Sequence, residues 1–226
     1  MKFLLRDLTE SFYTDGICFL MTIIGFITAI KRKERHKSLS VFLFYFGAYF
    51  ILKSIFFVPG FVSHSFFYNV WYKVELYSDF IFTFFEYFVF RFFFKSVFKS
   101  LKNQIVLTLI SYIFVTLFLV LYINDILLVK TLRIQTIQNL FSIQAVSLLI
   151  PCVLYYIEIF KKTPSFNLTN EPSFWVVTGL SFFMLCTLPY SIFLNYILSL
   201  SPDLFFNLYS IFWIFYIFLF CLSSYG

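Results

Sequence analysis

Seven long apolar stretches follow one another along this chain, separated by short polar connections. A stretch of about 20 apolar residues, folded as an α-helix, matches the thickness of the hydrocarbon core of a bilayer. Because lipid offers the backbone no hydrogen-bonding partner, each segment must satisfy its own N–H and C=O groups, as a helix does. The pattern predicts an all-α fold, a single polytopic transmembrane helical bundle over residues 1–226. The predicted spans are about 16–30, 39–58, 74–94, 105–123, 137–160, 174–198 and 204–222.

The composition excludes most soluble folds. The chain is 61% hydrophobic and only 12% charged, whereas about a quarter of the residues in an ordinary soluble domain are charged. The polar residues are too few to cover a soluble domain of 226 residues. The connections between the apolar stretches are also too short to hold a soluble catalytic domain.

The basic residues predict how the chain is oriented in the membrane. Eleven of them flank the predicted spans on one side and five on the other, and Lys53 lies within the second span. Because basic loops stay in the cytoplasm, this asymmetry predicts an odd number of spans with the N-terminus out and the C-terminus in. Basic residues beside apolar spans contact anionic lipid. The lipid bilayer is therefore the expected partner, and nucleic acid is not.

The third predicted span carries an acidic stripe. Glu75, Asp79 and Glu86 are spaced i, i+4 and i+11, which places them within about 40° of one another on a helix. Ionised carboxylates are costly in lipid, so the stripe should face the bundle interior or water. Three interpretations are open: a structural contact between helices, a proton or cation relay, and a ligand site open to the outside.

Lys53 is the predicted partner of the acidic stripe. It lies about 9 Å below the outer boundary of the second span, counted at about 1.5 Å per residue, and Asp79 lies at a similar depth in the third span. We expect a structural Lys53–Asp79 ion pair, with Glu75 as the second choice. The sequence shows no basic partner at the depth of Glu86, which is therefore the hardest of the three to interpret as structural.

A second polar stripe opens the fifth predicted span. Gln135, Gln138, Asn139 and Ser142 are spaced to share one helical face. Amides of this kind form hydrogen bonds between membrane helices, or they line an outward-facing cavity together with the acidic stripe. The candidate residues for binding a ligand or ion are therefore Glu75, Asp79, Glu86, Gln138 and Asn139.

The sequence predicts no catalytic residues, metal site or cofactor. The two histidines, His36 and His64, lie in predicted loops, which excludes bis-histidine haem within the bundle. The four cysteines have no metal-binding spacing, and nucleotide-binding motifs are missing from the sequence. An enzyme acting on lipid would need an interfacial acid/base pair. The only candidate, Glu158 beside Lys161, is interpreted more simply as a solvated helix end.

Two short stretches carry a resemblance. They are Glu86-Tyr87-Phe88 in the third span, and Pro172-Ser173-Phe174-Trp175 followed by Thr178-Gly179 at the start of the sixth. With the seven-span layout, they resemble small uncharacterised membrane proteins of Bacteroidota and the N-terminal membrane regions of bacterial sensor proteins. The resemblance implies a sensory or scaffold role in the bacterial cytoplasmic (inner) membrane. Since no output domain is expected, signalling would need a membrane-protein partner subunit.

These patterns favour a non-enzymatic integral membrane module, either sensor-like or an accessory subunit of a membrane complex. The alternative is a small proton- or cation-coupled transporter that uses Glu86 and Asp79. The acidic stripe fits both hypotheses, and only the surroundings of these carboxyl groups distinguish them.

Overall fold

A computed structural model of the chain describes residues 68–129, 134–161 and 171–200, with Ile27 and Leu219 as isolated positions. Within these ranges lie four α-helices: α1 (Tyr68–Val97), α2 (Leu101–Tyr122), α3 (Ile134–Phe160) and α4 (Pro172–Leu200). A π-helical segment, Ile123–Val129, continues α2. The helices correspond to the third to sixth predicted spans. The all-α prediction is confirmed for this part of the chain, and the first, second and seventh spans lie outside it apart from the two isolated positions.

Each helix begins before its predicted apolar span, and α1 and α4 also end after theirs. The largest difference is in α1, which has 30 residues and is therefore about 45 Å long, well above the roughly 30 Å of a bilayer's hydrocarbon core. Apolarity marks only the part of a helix that lipid tolerates, whereas backbone hydrogen bonding continues into the polar flanks. The ends of the helices therefore differ from the ends of the apolar stretches.

Three of these helices are long and apolar enough to cross a membrane, over Leu101–Asp125, Gln135–Phe160 and Pro172–Phe193. They belong to α2, α3 and α4. The outer face of α2 is exposed and almost wholly apolar, and its large side chains there are Ile105, Leu109, Tyr112, Ile113 and Val120. Water would disfavour an apolar face of this extent, whereas lipid accepts it. These features are those of a membrane protein.

The helix α1 is more highly charged than the other three. It carries Asp79, Glu86 and Arg91 along its length and is not among the helices that length and apolarity alone mark as spans. Its C-terminal half is nevertheless lined with buried aromatic rings, among them Tyr87, Phe90, Phe93 and Phe94. Glu86 and Arg91 of α1 form hydrogen bonds with side chains of neighbouring helices, which bear on their role.

Helix α3 lies at the centre of this group and packs against α1, α2 and α4. Its buried Leu140 and Leu148 belong to one core with Val176, Val177 and Leu180 of α4. Because α3 has neighbours on several sides, its polar side chains lie between helices. Pro151 and Pro189 lie inside α3 and α4, and both helices continue through them, as membrane helices commonly do.

Aromatic stacking forms much of the contact between α1 and α2. The ring centroids of Tyr87 and Phe114 are 3.8 Å apart and nearly parallel, and those of Phe84 and Phe118 are 4.4 Å apart. Such pairs contribute about 0.5–1.5 kcal/mol beyond the area they bury. This interface fixes the rotation of α1, and with it the direction in which the acidic stripe faces.

Candidate functional site

Glu86 is buried between helices and has an amide partner. Its side chain is 3% exposed and that of Gln144, in α3, is 1% exposed. The Gln144 Nε2 donates a hydrogen bond of 2.9 Å to the Glu86 Oε2. A side-chain hydrogen bond in the interior of a helix bundle joins the two helices that supply its partners. Sequence reasoning missed Gln144, although a lone amide in the apolar run Ile143 to Ile150 was a signal for it.

The rest of the acidic stripe is only partly described. Asp79 is half-buried, and its backbone carbonyl accepts a hydrogen bond of 2.7 Å from the Thr83 hydroxyl. Glu75 belongs to α1, but its side chain is not among those that the structure describes. Lys53 lies outside the described residues. The Lys53–Asp79 ion pair therefore stays a prediction.

The second polar stripe divides into a buried and an exposed part. Gln138 is buried, and neither its amide nitrogen nor its amide oxygen has a hydrogen-bonding partner in the described part of the chain. Gln135 and Asn139 are exposed, and Ser142 is half-buried with its hydroxyl bonded to the Gln138 carbonyl over 3.0 Å. Of the two α3 residues predicted to bind a ligand, Gln138 thus faces the interior and Asn139 does not.

Ser111 of α2 is the centre of a second contact with α1. Its Oγ accepts hydrogen bonds from the Tyr87 hydroxyl, over 3.1 Å, and from the Arg91 Nε, over 2.7 Å. The same Oγ donates to the Leu107 carbonyl over 2.7 Å. A hydroxyl has one donor and two acceptor positions, and all three are used. The Arg91 charge is thereby held against α2 and close to the Phe88 and Phe92 rings.

Glu158 joins the end of α3 to the connection between α1 and α2. Its carboxylate accepts a 3.0 Å bond from the Lys99 backbone N–H and a 2.6 Å bond from the Asn103 Nδ2. Ser100, the N-cap residue of α2, makes no side-chain capping bond. The Glu158 carboxylate, from another helix, lies near this helix end, where the helix dipole is positive. Glu158 is therefore engaged in a tertiary contact, which its interpretation as a solvated helix end did not include.

Asp125 forms a similar contact at the opposite end of α2. It is fully buried within the π-helical segment. The Thr136 hydroxyl donates a hydrogen bond to its Oδ2, and the Asn124 Nδ2 donates to its Oδ1 over 3.0 Å. This contact holds the end of α2 against the first turn of α3.

Between α3 and α4 the polar contact is made by hydroxyl groups. The Tyr156 hydroxyl donates to the Thr178 Oγ1 over 3.1 Å, and the Ser181 Oγ lies 3.5 Å from the Tyr156 hydroxyl. No group of three His, Cys, Asp or Glu side chains placed to hold a metal occurs within the described ranges. The carboxylates of Glu86, Asp125 and Glu158 accept hydrogen bonds from amide, hydroxyl and backbone donors, an arrangement that fixes helices relative to one another.

Comparison of the chain with known protein families, with curated proteins and with solved structures gives no match. Function is therefore inferred from the contacts between these helices and from the pattern of the chain.

Proposed function

We propose that the chain is a non-enzymatic integral membrane module, sensor-like or an accessory subunit of a membrane complex. The proposal includes about seven spans with the N-terminus out and the C-terminus in, and location in the bacterial cytoplasmic membrane. The observation that carries it is the hydrogen bond between Gln144 and Glu86, because it supplies a structural role for the most deeply placed acid of the stripe.

A structural role for Glu86 in joining two helices makes its use in a proton relay less favoured. A carboxyl group that carries protons must exchange them with water or with a titratable neighbour. Glu86 is 3% exposed, which restricts its exchange with water, and its Oε2 accepts a hydrogen bond from the Gln144 amide. A hydrogen bond of this kind between membrane helices contributes about 0.6–2 kcal/mol, which is enough to favour one packing of α1 against α3.

The remaining polar contacts support the same role. Ser111 joins α1 to α2, Glu158 joins their connection to α3, and Tyr156 joins α3 to α4. With the Gln144–Glu86 bond, the pairs α1–α2, α1–α3, α2–α3 and α3–α4 thus have a polar contact in addition to their apolar packing. A bundle fixed in this way suits a module that presents a surface to a partner subunit.

The test uses purified wild-type protein reconstituted into vesicles under an imposed pH gradient. We expect no proton flux above that of empty vesicles, and the same result for Glu86→Gln. In native membranes, chemical crosslinking should capture a membrane protein at fixed stoichiometry to this chain. A protein that is monomeric in its membrane and transports protons or cations would overturn the proposal.

A small proton- or cation-coupled transporter is the second candidate, and one observation favours it. The Gln138 amide atoms and the Ser78 Oγ are buried without hydrogen-bonding partners among the described residues. Buried polar atoms without a partner are uncommon in folded proteins, and a water molecule or an ion often supplies the hydrogen bond. This candidate predicts that Glu86→Gln abolishes a pH-dependent flux in a protein that remains folded.

A further inference from the structure

One end of the described bundle carries four exposed lysines. Lys95 lies in the last turn of α1, Lys99 in the connection to α2, Lys102 in the first turn of α2, and Lys161 directly after α3. We call these four residues the basic rim. Lys95, Lys99 and Lys102 lie close together in the chain, whereas Lys161 follows α3, so its place in the rim depends on how α3 packs.

The contact made by Glu158 brings the rim together. Its carboxylate accepts hydrogen bonds from the Lys99 backbone N–H and from Asn103, which is adjacent to Lys102. The end of α3, with Lys161, is thereby held against the connection between α1 and α2. Four ammonium groups accompany two carboxylates at this end: that of Glu158, whose two oxygens already accept hydrogen bonds, and that of Glu171, which acts with Glu158 on Tyr155. The rim therefore has a clear excess of positive charge.

Exposed apolar side chains lie directly beside the basic rim. Leu101 is 75% exposed and Phe160 is 66% exposed, and each is adjacent in sequence to a lysine of the rim. Phe92 and Ile105, one turn further along their helices, are also exposed. Lysines placed at the end of a lipid-facing wall direct their ammonium groups to the membrane interface. The combination of cationic rim and apolar wall matches a phospholipid, with its phosphate and its acyl chains.

We propose that the basic rim binds the headgroup of an anionic phospholipid whose acyl chains lie along the exposed apolar residues of α2. Basic residues near a membrane surface attract anionic lipid strongly enough that each lysine should raise its affinity about fivefold. Because the lysines are exposed, this attraction should weaken as salt rises. The inference goes beyond the proposed function and holds for a module and for a transporter alike.

The experiment titrates the detergent-purified full chain with three probes and measures binding by native mass spectrometry. The probes are dioleoylphosphatidylglycerol, dioleoylphosphatidylcholine and soluble glycerol 3-phosphate. The test variant is Lys95→Gln/Lys99→Gln/Lys102→Gln, and the variant with arginine at the same three positions keeps the charge. Lys73→Gln, near the other end of α1, is the control for loss of a lysine outside the basic rim.

We expect phosphatidylglycerol to bind the wild type, the arginine variant and Lys73→Gln with similar affinity. The glutamine variant should bind it on the order of a hundredfold more weakly. Phosphatidylcholine should bind all four proteins equally and more weakly, and glycerol 3-phosphate should not bind detectably. The proposal is overturned if the glutamine variant keeps the wild-type affinity for phosphatidylglycerol. It is also overturned if phosphatidylcholine binds as tightly as phosphatidylglycerol, since the anionic headgroup would then have no role. Equally tight binding of glycerol 3-phosphate would overturn it too, since the apolar wall would then have no role.

Discussion

Gln144 donates a hydrogen bond to Glu86 over 2.9 Å, and both side chains are almost completely buried between α1 and α3. The pair gives the Glu86 carboxyl group a hydrogen-bond donor inside an apolar bundle. Leaving a buried polar group without a partner costs about 1–3 kcal/mol, and more if the group is charged. Removing one partner should therefore lower the free energy of unfolding by more than the net contribution of one hydrogen bond, because the other polar group stays buried.

Two buried glutamines of α3 give a matched pair of substitutions. Gln144 is hydrogen-bonded, whereas Gln138 has no partner in the described part of the chain. Gln144→Leu should lower the free energy of unfolding by about 1–3 kcal/mol, since it removes the amide that donates to the buried Glu86 Oε2. Gln138→Leu should leave it unchanged or raise it, because an apolar side chain replaces an unpaired amide. Denaturation by SDS, followed by far-UV circular dichroism, measures both. Equal destabilisation by the two substitutions would show that Gln138 also has a structural partner.

Removing the Ser111 hydroxyl should destabilise the contact between α1 and α2. Ser111→Ala leaves the Tyr87 hydroxyl and the Arg91 Nε without their shared acceptor, so the free energy of unfolding should fall by about 1–3 kcal/mol. Tyr87→Phe removes one donor and should cost less. Thr116→Ala is the control, because this exposed hydroxyl bonds only to the Tyr112 carbonyl one turn earlier in its own helix. The account is contradicted if Ser111→Ala and Thr116→Ala have the same unfolding midpoint.

The carboxylate of Glu158 should protect the amide of Lys99 from hydrogen exchange. Hydrogen bonds to charged groups contribute about 1.5–3 kcal/mol, so Glu158→Ala should accelerate exchange at Lys99 by roughly 10- to 100-fold. Peptides from the interior of α2 should exchange as in the wild type. Glu171→Gln is the control, since the backbone carbonyl of Glu171, which accepts from the Phe174 N–H, is unchanged. Unaltered exchange at Lys99 in Glu158→Ala would remove Glu158 from its proposed role in ordering the basic rim.

The sequence was sufficient to predict the four described helices, because long apolar stretches in lipid allow few other structures. It was also sufficient to predict that Glu86 and Gln138 face inward, since helical spacing shows which residues share a face. Asn139 marks the limit of that argument. It lies about 40° from Gln135, one turn earlier on the same predicted stripe. Both are exposed, because the boundary between the core and the surface runs between them and Gln138.

The partners of the polar groups could not be predicted from spacing. Glu86 bonds to a residue 58 positions later, and Glu158 bonds to the connection between α1 and α2, up to 59 positions earlier. Spacing gives the direction of a side chain on its own helix but not the rotation and depth of the neighbouring helix. These depend on packing, such as the stacking of Tyr87 on Phe114.

The central claim is that Glu86 stabilises the bundle by accepting a hydrogen bond and not by exchanging a proton. Glu86→Gln keeps an acceptor oxygen for Gln144 and removes the titratable group, whereas Glu86→Leu removes both. The most direct measurement is the free energy of unfolding of these two variants beside the wild type, in the same detergent and at the same pH. We predict that Glu86→Gln lies within about 0.5 kcal/mol of the wild type and that Glu86→Leu is less stable by about 1–3 kcal/mol. If Glu86→Gln is as unstable as Glu86→Leu, or if Glu86→Leu is as stable as the wild type, the claim is contradicted.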